Sequence, residues 1–184
     1  MIARLALATV LAASVAACAS SGPTIPPVAS VDLPRFMGDW YVIAHIPSFP
    51  EREAYNAIES YRLDPEGRIR TTFQFRKGGF DAPLETMEPV GEVVPGTHNA
   101  VWGMQFVWPI KAEYVIVDLS PDYARTMIGR SKRDYLWIMA RTPQIAEADY
   151  AALVEKARAL GYDVSRLRKV PQRWPETAAD ARRR

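Results

Sequence analysis

Short segments of alternating apolar and polar residues run through most of this chain, and they restrict its fold more than any other feature. Such segments fall at roughly 39–47, 54–63, 68–76, 85–94, 99–108, 112–119, 124–130 and 135–141, each bounded by Pro, Gly, Asp or Asn. A period of two is typical of strands with one buried face, and proline and glycine favour the turns between them. The pattern predicts an all-β protein, an eight-stranded up-and-down antiparallel β-barrel.

The period changes after Pro143. Apolar side chains then recur at helical spacing at Tyr150, Leu153, Val154, Ala157 and Leu160, and Gly161 stands where a helix commonly ends. This predicts one C-terminal α-helix packed outside the barrel. An extended piece at about 166–170 is expected to pair with an edge strand.

The first 17 residues predict a signal peptide that is removed, because the single cation Arg4 precedes an uncharged apolar run at 5–17. The run is too short to span a membrane. Val15-Ala16-Ala17-Cys18 resembles the lipobox of bacterial lipoproteins, which predicts lipidation of Cys18; the alternative is a buried thiol near an ordinary cleavage site. Ala19, by resemblance to enterobacterial sorting rules, implies the outer membrane, with the barrel facing the periplasm.

Composition divides the rest of the chain. Residues 18–31 are rich in Ser, Pro, Ala and Gly and are predicted to form a flexible tether, 32–172 a single domain of barrel plus helix, and 173–184 a C-terminal tail. Cys18 is the single cysteine, so its acylation would leave no thiol for disulfides or a soft metal site. A net charge of +2 without a basic stripe argues against nucleic acid as a partner.

Three segments resemble motifs of the lipocalin family, especially its bacterial outer-membrane branch. Gly38-Asp39-Trp40-Tyr41 matches the G-x-W of the first strand, the segment 118–123, which contains Asp122 and Tyr123, is similar to the second motif, and the segment 137–143, which contains Arg141, is similar to the third. The resemblance implies that Trp40 lies at the closed end of the barrel with Arg141 across its ring, a contact worth about 0.5–2 kcal/mol. Gly38, Trp40, Asp122, Tyr123 and Arg141 therefore have expected structural roles.

If Trp40 points inward, alternation assigns a face to every strand position. On the first strand Val42, Ala44 and Ile46 are then inward, and Tyr41, Ile43 and His45 outward. The other predicted inward positions are Ala57, Glu59, Tyr61, Ile69, Thr71, Phe73, Phe75, Trp102, Met104, Phe106, Trp108, Tyr114, Ile116, Met127, Tyr135, Trp137 and Met139. Within this set the ligand-binding residues are expected to be Glu59, Tyr61, Phe73, Phe75, Trp102, Met104, Phe106, Tyr114, Ile116, Met127, Tyr135 and Trp137.

Glu59 is the exception on this largely aromatic face. It either pairs with a cation or a tyrosine near the closed end or caps a polar head group or water, and pairing is favoured because an isolated buried carboxylate is costly. The hydroxyls of Tyr114 and Tyr135 and the indole nitrogen of Trp102 are candidate donors to a head group near the mouth. A barrel filled by its own side chains, without a cavity, stays as an alternative.

No catalytic constellation, metal site or cofactor is predicted. His45 and His98 lack metal-ligand spacing and are expected at the surface; an outward His45 argues against haem carriage, whereas His98 leaves it open. The resemblance implies binding and transport of fatty acids, lysophospholipids or similar amphiphiles in the periplasm, in membrane biogenesis or repair. The alternatives are a lipocalin-fold enzyme on a small apolar substrate and a filled barrel with a structural or interaction role; a homodimer is a further option.

Overall fold

The structure, a computed structural model, describes residues 24–176, in which the strands form a closed antiparallel barrel. The strands are β1 (Gly38–Ile46), β2 (Ala54–Leu63), β3 (Ile69–Lys77), β4 (Leu84–Met87), β5 (Val90–Val93), β6 (Val101–Val107), β7 (Ile110–Leu119), β8 (Arg125–Gly129), β9 (Leu136–Ala140) and β10 (Arg168–Lys169). Neighbouring strands pair in chain order, and β1 pairs with β9 to close the barrel. Because β4 and β5 both pair with β3, they share one position, which gives eight positions around the barrel. The predicted fold class is confirmed.

Three helical segments accompany the strands: α1 (Leu33–Phe36), α2 (Glu147–Ala159) and a 3-10 helix (Val164–Arg166). Helix α2 lies outside the barrel, as predicted, and Gly161 follows it with a φ of +88°. Strand β10 pairs with the upper half of β1, beyond the residues of β1 that pair with β2. Within 24–176, none of the helices has the length and apolar character needed to cross a bilayer.

Two apolar clusters lie on opposite faces of the sheet. One fills the closed end of the barrel and includes Phe36, Trp40 and Trp102. The other lies between the barrel and α2, where Leu153 and Ala157 pack on the sheet. Strands beneath α2 are therefore buried on both faces.

Residues 25–31 pack against the barrel, which corrects this part of the flexible tether predicted over 18–31. Ile25 and Val31 are each only 3% exposed. The backbone N–H of Val28 donates to the carbonyl of Ile116 on β7, at 2.9 Å, and that of Val31 donates to the carbonyl of His98, at 3.0 Å. The two buried apolar residues and these hydrogen bonds anchor the segment, although most of its other residues are exposed. The signal peptide 1–17, Cys18, the rest of the tether and residues 177–184 lie outside the described residues.

The chain after β10 also packs against the barrel, so the predicted tail at 173–184 begins with anchored residues. The side-chain amide of Gln172 donates to the carbonyls of Val42 and Ala57, one on β1 and one on β2. Glu176 forms an ion pair with the fully buried Arg76 of β3, with 3.0 Å between Nη2 and Oε2. These contacts fix the C-terminal segment across the place where β1 and β2 separate.

A bulge in β1 reverses the predicted faces of its second half. The register with β9 shifts between Val42 and Ala44, so Ala44 and Ile46 join the cluster under α2 and do not face the interior. His45, predicted outward and exposed, is instead fully buried. It is the cross-strand partner of Trp137, whose side chain faces the interior, and partners across a ladder share a face.

The inward prediction for Met127 on β8 is wrong for a similar reason. The register between β7 and β8 shifts between Ile116 and Asp118, and Met127 pairs with Ile138 in the cluster under α2. Ile128 takes the interior position instead. Thr126, Met127 and Ile128 are all fully buried, so the alternation that would distinguish the faces is missing from this strand.

Candidate ligand-binding site

An apolar cavity of about 310 Å³ opens at one end of the barrel. Its walls come from seven strands or strand ends and from the β1–β2 loop, and they comprise Ser48, Pro50, Glu51, Glu59, Thr71, Phe73, Met87, Pro89, Met104, Phe106, Ala112, Glu113, Tyr114, Arg130, Tyr135 and Trp137. The volume is at the small end of the range for ligand sites. We call the end near Glu51 and Tyr135 the mouth, and the group Glu59, Thr71 and Tyr114 the floor.

The floor is a polar group within apolar walls. The hydroxyl of Tyr61 donates to the carboxylate of Glu59, and it lies 2.7 Å from the hydroxyl of Tyr114. The pKa of Glu59 is raised to about 7, mainly by burial. The hydrogen bond from Tyr61 opposes this rise, and the negative charge of Glu51 adds to it. Burial also raises the pKa values of both tyrosines. Glu59 is thus paired with a tyrosine and exchanges its proton near neutral pH.

Thr71 completes the floor from β3. Its side chain is 3% exposed, and its hydroxyl has no hydrogen-bond partner among the residues that the structure describes. Because Glu59 pairs with Phe73 across the β2–β3 ladder, Thr71 is its diagonal neighbour on the same face. The side chains of Glu59 and Thr71 therefore face the same part of the cavity.

The closed end below the floor is solid. The guanidinium of Arg141 lies 3.8 Å from the centre of the Trp40 ring, and it donates to the backbone carbonyls of Phe36 and Asp39. Gly38 allows this approach, with a φ of +91° and the guanidinium 3.4 Å from where a Cβ would stand. The structure thus has the Trp–Arg stacking that the family resemblance implies.

The second motif also supports the closed end. The carboxylate of Asp122 accepts from the hydroxyl of Ser120 and from the backbone N–H of Ala124. The hydroxyl of Tyr123 accepts from the backbone N–H of Asp32, at 2.9 Å, just before α1. Asp122 thus stabilises the turn after β7, and Tyr123 holds this turn against the N-terminal segment.

The mouth is partly covered by the loop between β1 and β2. The Nε1 of Trp137 donates to the carboxylate of Glu51, at 2.7 Å, and Ser48 hydrogen-bonds to the same carboxylate. The Nδ1 of the buried His45 lies 3.6 Å from it. These contacts hold the loop over one side of the opening.

Arg130 brings a cation to the cavity wall at the mouth. Its Nη1 pairs with Asp134 at 3.2 Å, and its guanidinium lies over the ring of Tyr135. The Nε is buried and has no hydrogen-bond partner within residues 24–176. The side chain is 17% exposed, so this charge is more weakly solvated than a surface arginine.

The predicted binding residues fall into three groups. Those that line the cavity are Glu59, Phe73, Met104, Phe106, Tyr114, Tyr135 and Trp137. Those that are buried in the interior without lining it are Tyr61, Phe75, Trp102 and Ile116. Met127, as described above, lies on the outer face. Trp102 and Tyr114 were both expected near the mouth, but the hydroxyl of Tyr114 contacts Tyr61 in the floor. Trp102 stacks on Tyr114, with 4.8 Å between ring centres, and its Nε1 donates to the carbonyl of Asn99.

Sequence reasoning missed eight of the lining residues: Ser48, Pro50, Glu51, Met87, Pro89, Ala112, Glu113 and Arg130. Glu51 lies in an irregular loop, for which strand periodicity carries no information. Arg130 had a usable signal, because a phase that turns Thr126 and Ile128 inward also turns Arg130 inward. Within residues 24–176, no three His, Cys, Asp or Glu side chains lie close enough together to hold a metal ion. The sequence predicts no metal site in the rest of the chain either.

Exposed apolar side chains surround the mouth. Trp108, predicted inward, is 82% exposed at the tip of the β6–β7 hairpin, beyond the last pleated residue of β6. Phe49 in the β1–β2 loop is 73% exposed, and Val107 and Ile110 are each 69% exposed. His98, in contrast, lies exposed near the closed end, as expected.

An eight-position antiparallel barrel with an open apolar interior and one external helix belongs to the up-and-down barrels that enclose one small molecule. A family model described as a lipocalin-like domain matches residues 31–172. The chain therefore belongs to the lipocalin family.

Known proteins of this family are similar over most of the chain. Temperature-induced lipocalin-1 of Arabidopsis thaliana is 33% identical over 153 residues, 79% of this chain and 81% of that protein. Outer membrane lipoprotein Blc of Escherichia coli K12 is 28% identical over 162 residues, 86% of this chain and 90% of that protein. Insecticyanin of the tobacco hornworm has the same fold, with a TM-score of 0.65 at 18% identity, covering 84% of this chain and 87% of that structure.

Proposed function

We propose that this protein binds a single-chain amphiphile, such as a fatty acid or a lysophospholipid, inside the barrel and carries it. The observation that carries the proposal is the open cavity, whose walls are mainly aromatic, Met and Pro side chains. Burial of an acyl chain there contributes about 25 cal/mol per Å² of apolar surface, less the cost of ordering the chain. An open cavity also argues against a barrel filled by its own side chains.

The acidic head of a fatty acid would lie at the mouth beside Arg130. No acceptor among the described residues uses the buried Nε of Arg130, and a carboxylate accepts strongly from a guanidinium. The exposed apolar residues around the mouth suit an amphiphile that arrives from a lipid surface. The acyl chain would extend inward from there toward the floor.

Outer-membrane anchoring through acylated Cys18 belongs to the same proposal, as do delivery within the periplasm and a role in membrane biogenesis or repair. The motif around Cys18 and the lipoprotein relatives support the anchor. Lipocalins are mostly binding proteins, and no specific observation favours an enzyme here.

Filling the cavity is expected to abolish binding. Ala112 lines the wall beside Met104, its cross-strand partner, and Ala112→Trp would place a large ring in the space of the acyl chain. We expect the affinity for dodecanoic acid, measured by calorimetry, to fall by about tenfold or more, since one hydrophobic side chain is worth about 1.5–3 kcal/mol of burial. Ala151→Trp, on the exposed face of α2, is the control and should bind as the wild type does. Equal affinity of both variants would contradict a ligand in the barrel.

Removing the cation at the mouth is expected to weaken binding of acids selectively. Arg130→Leu should lower the affinity for dodecanoate by about tenfold and that for dodecanol far less, because hydrogen bonds to a charged group contribute about 1.5–3 kcal/mol. Lys132→Leu changes an exposed cation of the same loop and should leave both affinities unchanged. If Arg130→Leu lowers both affinities equally, the head group does not bind there.

A further inference from the structure

We infer that the floor of the cavity recognises a hydroxyl group at the inner end of the ligand, so that the preferred amphiphile carries a polar group at both ends of its chain. This inference rests on the proposed function, because it assumes a ligand with its head at the mouth. Its basis is the pair of polar groups, Glu59 and Thr71, that face the same end of an otherwise apolar cavity.

A plain acyl chain matches this floor poorly. Its terminal methyl would lie against the hydroxyl of Thr71, which has no partner among residues 24–176, and against the carboxyl group of Glu59. A buried polar group without a partner is costly, because it has lost the hydrogen bonds that it would make to water in the open. The floor is thus poorly matched to a ligand whose inner end is only hydrocarbon.

A hydroxyl matches it because it both donates and accepts. It can donate to the carboxylate of Glu59 while it accepts from the hydroxyl of Thr71. It can equally accept from Glu59 when that group is protonated, a state populated near neutral pH because burial raises the pKa of Glu59 to about 7. A methyl end satisfies neither group, and a carbonyl oxygen can only accept.

The surrounding side chains hold the floor in place for this role. Glu59 is fixed by the hydroxyl of Tyr61, which also contacts the hydroxyl of Tyr114. The ring of Tyr114 is held by Trp102, stacked on it with 2° between the ring planes. Glu59 therefore keeps its orientation without closing the cavity over Thr71.

The test compares 12-hydroxydodecanoic acid with dodecanoic acid, two probes that differ by one oxygen at the inner end. The wild-type protein should bind the hydroxy acid about five- to tenfold more tightly by calorimetry, as expected for one satisfied pair of buried polar groups. In Thr71→Val, which has the same shape without the hydroxyl, the ratio should fall markedly toward 1, because Glu59 is then the one floor residue left to bind the ligand's hydroxyl. Thr72→Val, the next residue on the outer face of β3, should keep the wild-type ratio.

The possible outcomes separate the two levels of the proposal. If the wild type binds both acids equally or prefers dodecanoic acid, or if Thr71→Val keeps the wild-type ratio, the inference about the floor is overturned while the carrier function stands. If neither acid binds a wild-type protein that melts cooperatively, the proposed function fails as well. Thermal melts of both variants establish that they fold.

Discussion

Trp40→Ala is expected to lower the free energy of unfolding by about 3–5 kcal/mol, the usual cost of truncating a buried tryptophan. Trp40 is fully buried, its Nε1 donates to the carbonyl of Phe36 at 2.9 Å, and its ring packs on that of Phe36, with 5.0 Å between the centres. The alanine would leave a cavity at the closed end and remove the ring on which Arg141 lies. For a domain of this size the melting temperature should fall by about 10 °C.

Trp108→Ala is the matched control, because this tryptophan is 82% exposed at the hairpin tip. Its free energy of unfolding should stay within about 0.5 kcal/mol of the wild-type value, as for most surface substitutions. Urea unfolding followed by circular dichroism measures both variants. Similar stability losses in the two would mean that the closed end is not the tightly packed core described above.

The second large effect concerns Glu59 and pH. The folded state keeps the proton on Glu59 up to its pKa of about 7, whereas the unfolded state loses it near 4.5. Between these values the folded state binds more protons, so this group's contribution to stability falls as pH rises and is lost above pH 7. A shift of this size corresponds to about 3 kcal/mol.

Glu59→Gln should remove this loss. We expect the variant to be about 3 kcal/mol more stable than the wild type at pH 8 and nearly equal to it at pH 4, measured by urea unfolding. Tyr61, Tyr114 and Glu51 influence Glu59 directly and stay unchanged, so the difference between the two proteins isolates Glu59. Glu85→Gln, on the exposed side of β4, should show no such pH-dependent gain. A gain of equal size at both pH values would contradict a titrating Glu59.

The barrel was predictable because alternation and turn residues are local signals. The β2 segment at 54–63 has the observed bounds, and most other strands differ by one or two residues at their ends. The single strand predicted at 85–94 is wrong in one respect, because the structure divides it into β4 and β5. Alternation alone cannot predict which residues face inward beyond a bulge. One extra residue at Ile43 moved His45 inward, and the shift near Val117 moved Met127 outward.

The candidate site was predictable to the same extent. Residues on regularly paired strands, such as Glu59, Phe73 and Met104, line the cavity as expected. Which interior side chains border open space was not predictable, and Trp102 and Phe75 are packed in the interior without lining the cavity. Side chains from loops, such as Glu51, depend on tertiary contacts that no local pattern encodes.

Residues 25–31 run beside β7, from Ile25 near Ser131 at the mouth to Val31 near the closed end. The chain therefore emerges beside the opening. Cys18 stands only seven residues before Ile25, and even a fully extended chain of that length spans only about 25 Å. A lipid on Cys18 would therefore hold the cavity opening close to the bilayer, so that a ligand could move between membrane and barrel without passing through bulk solvent.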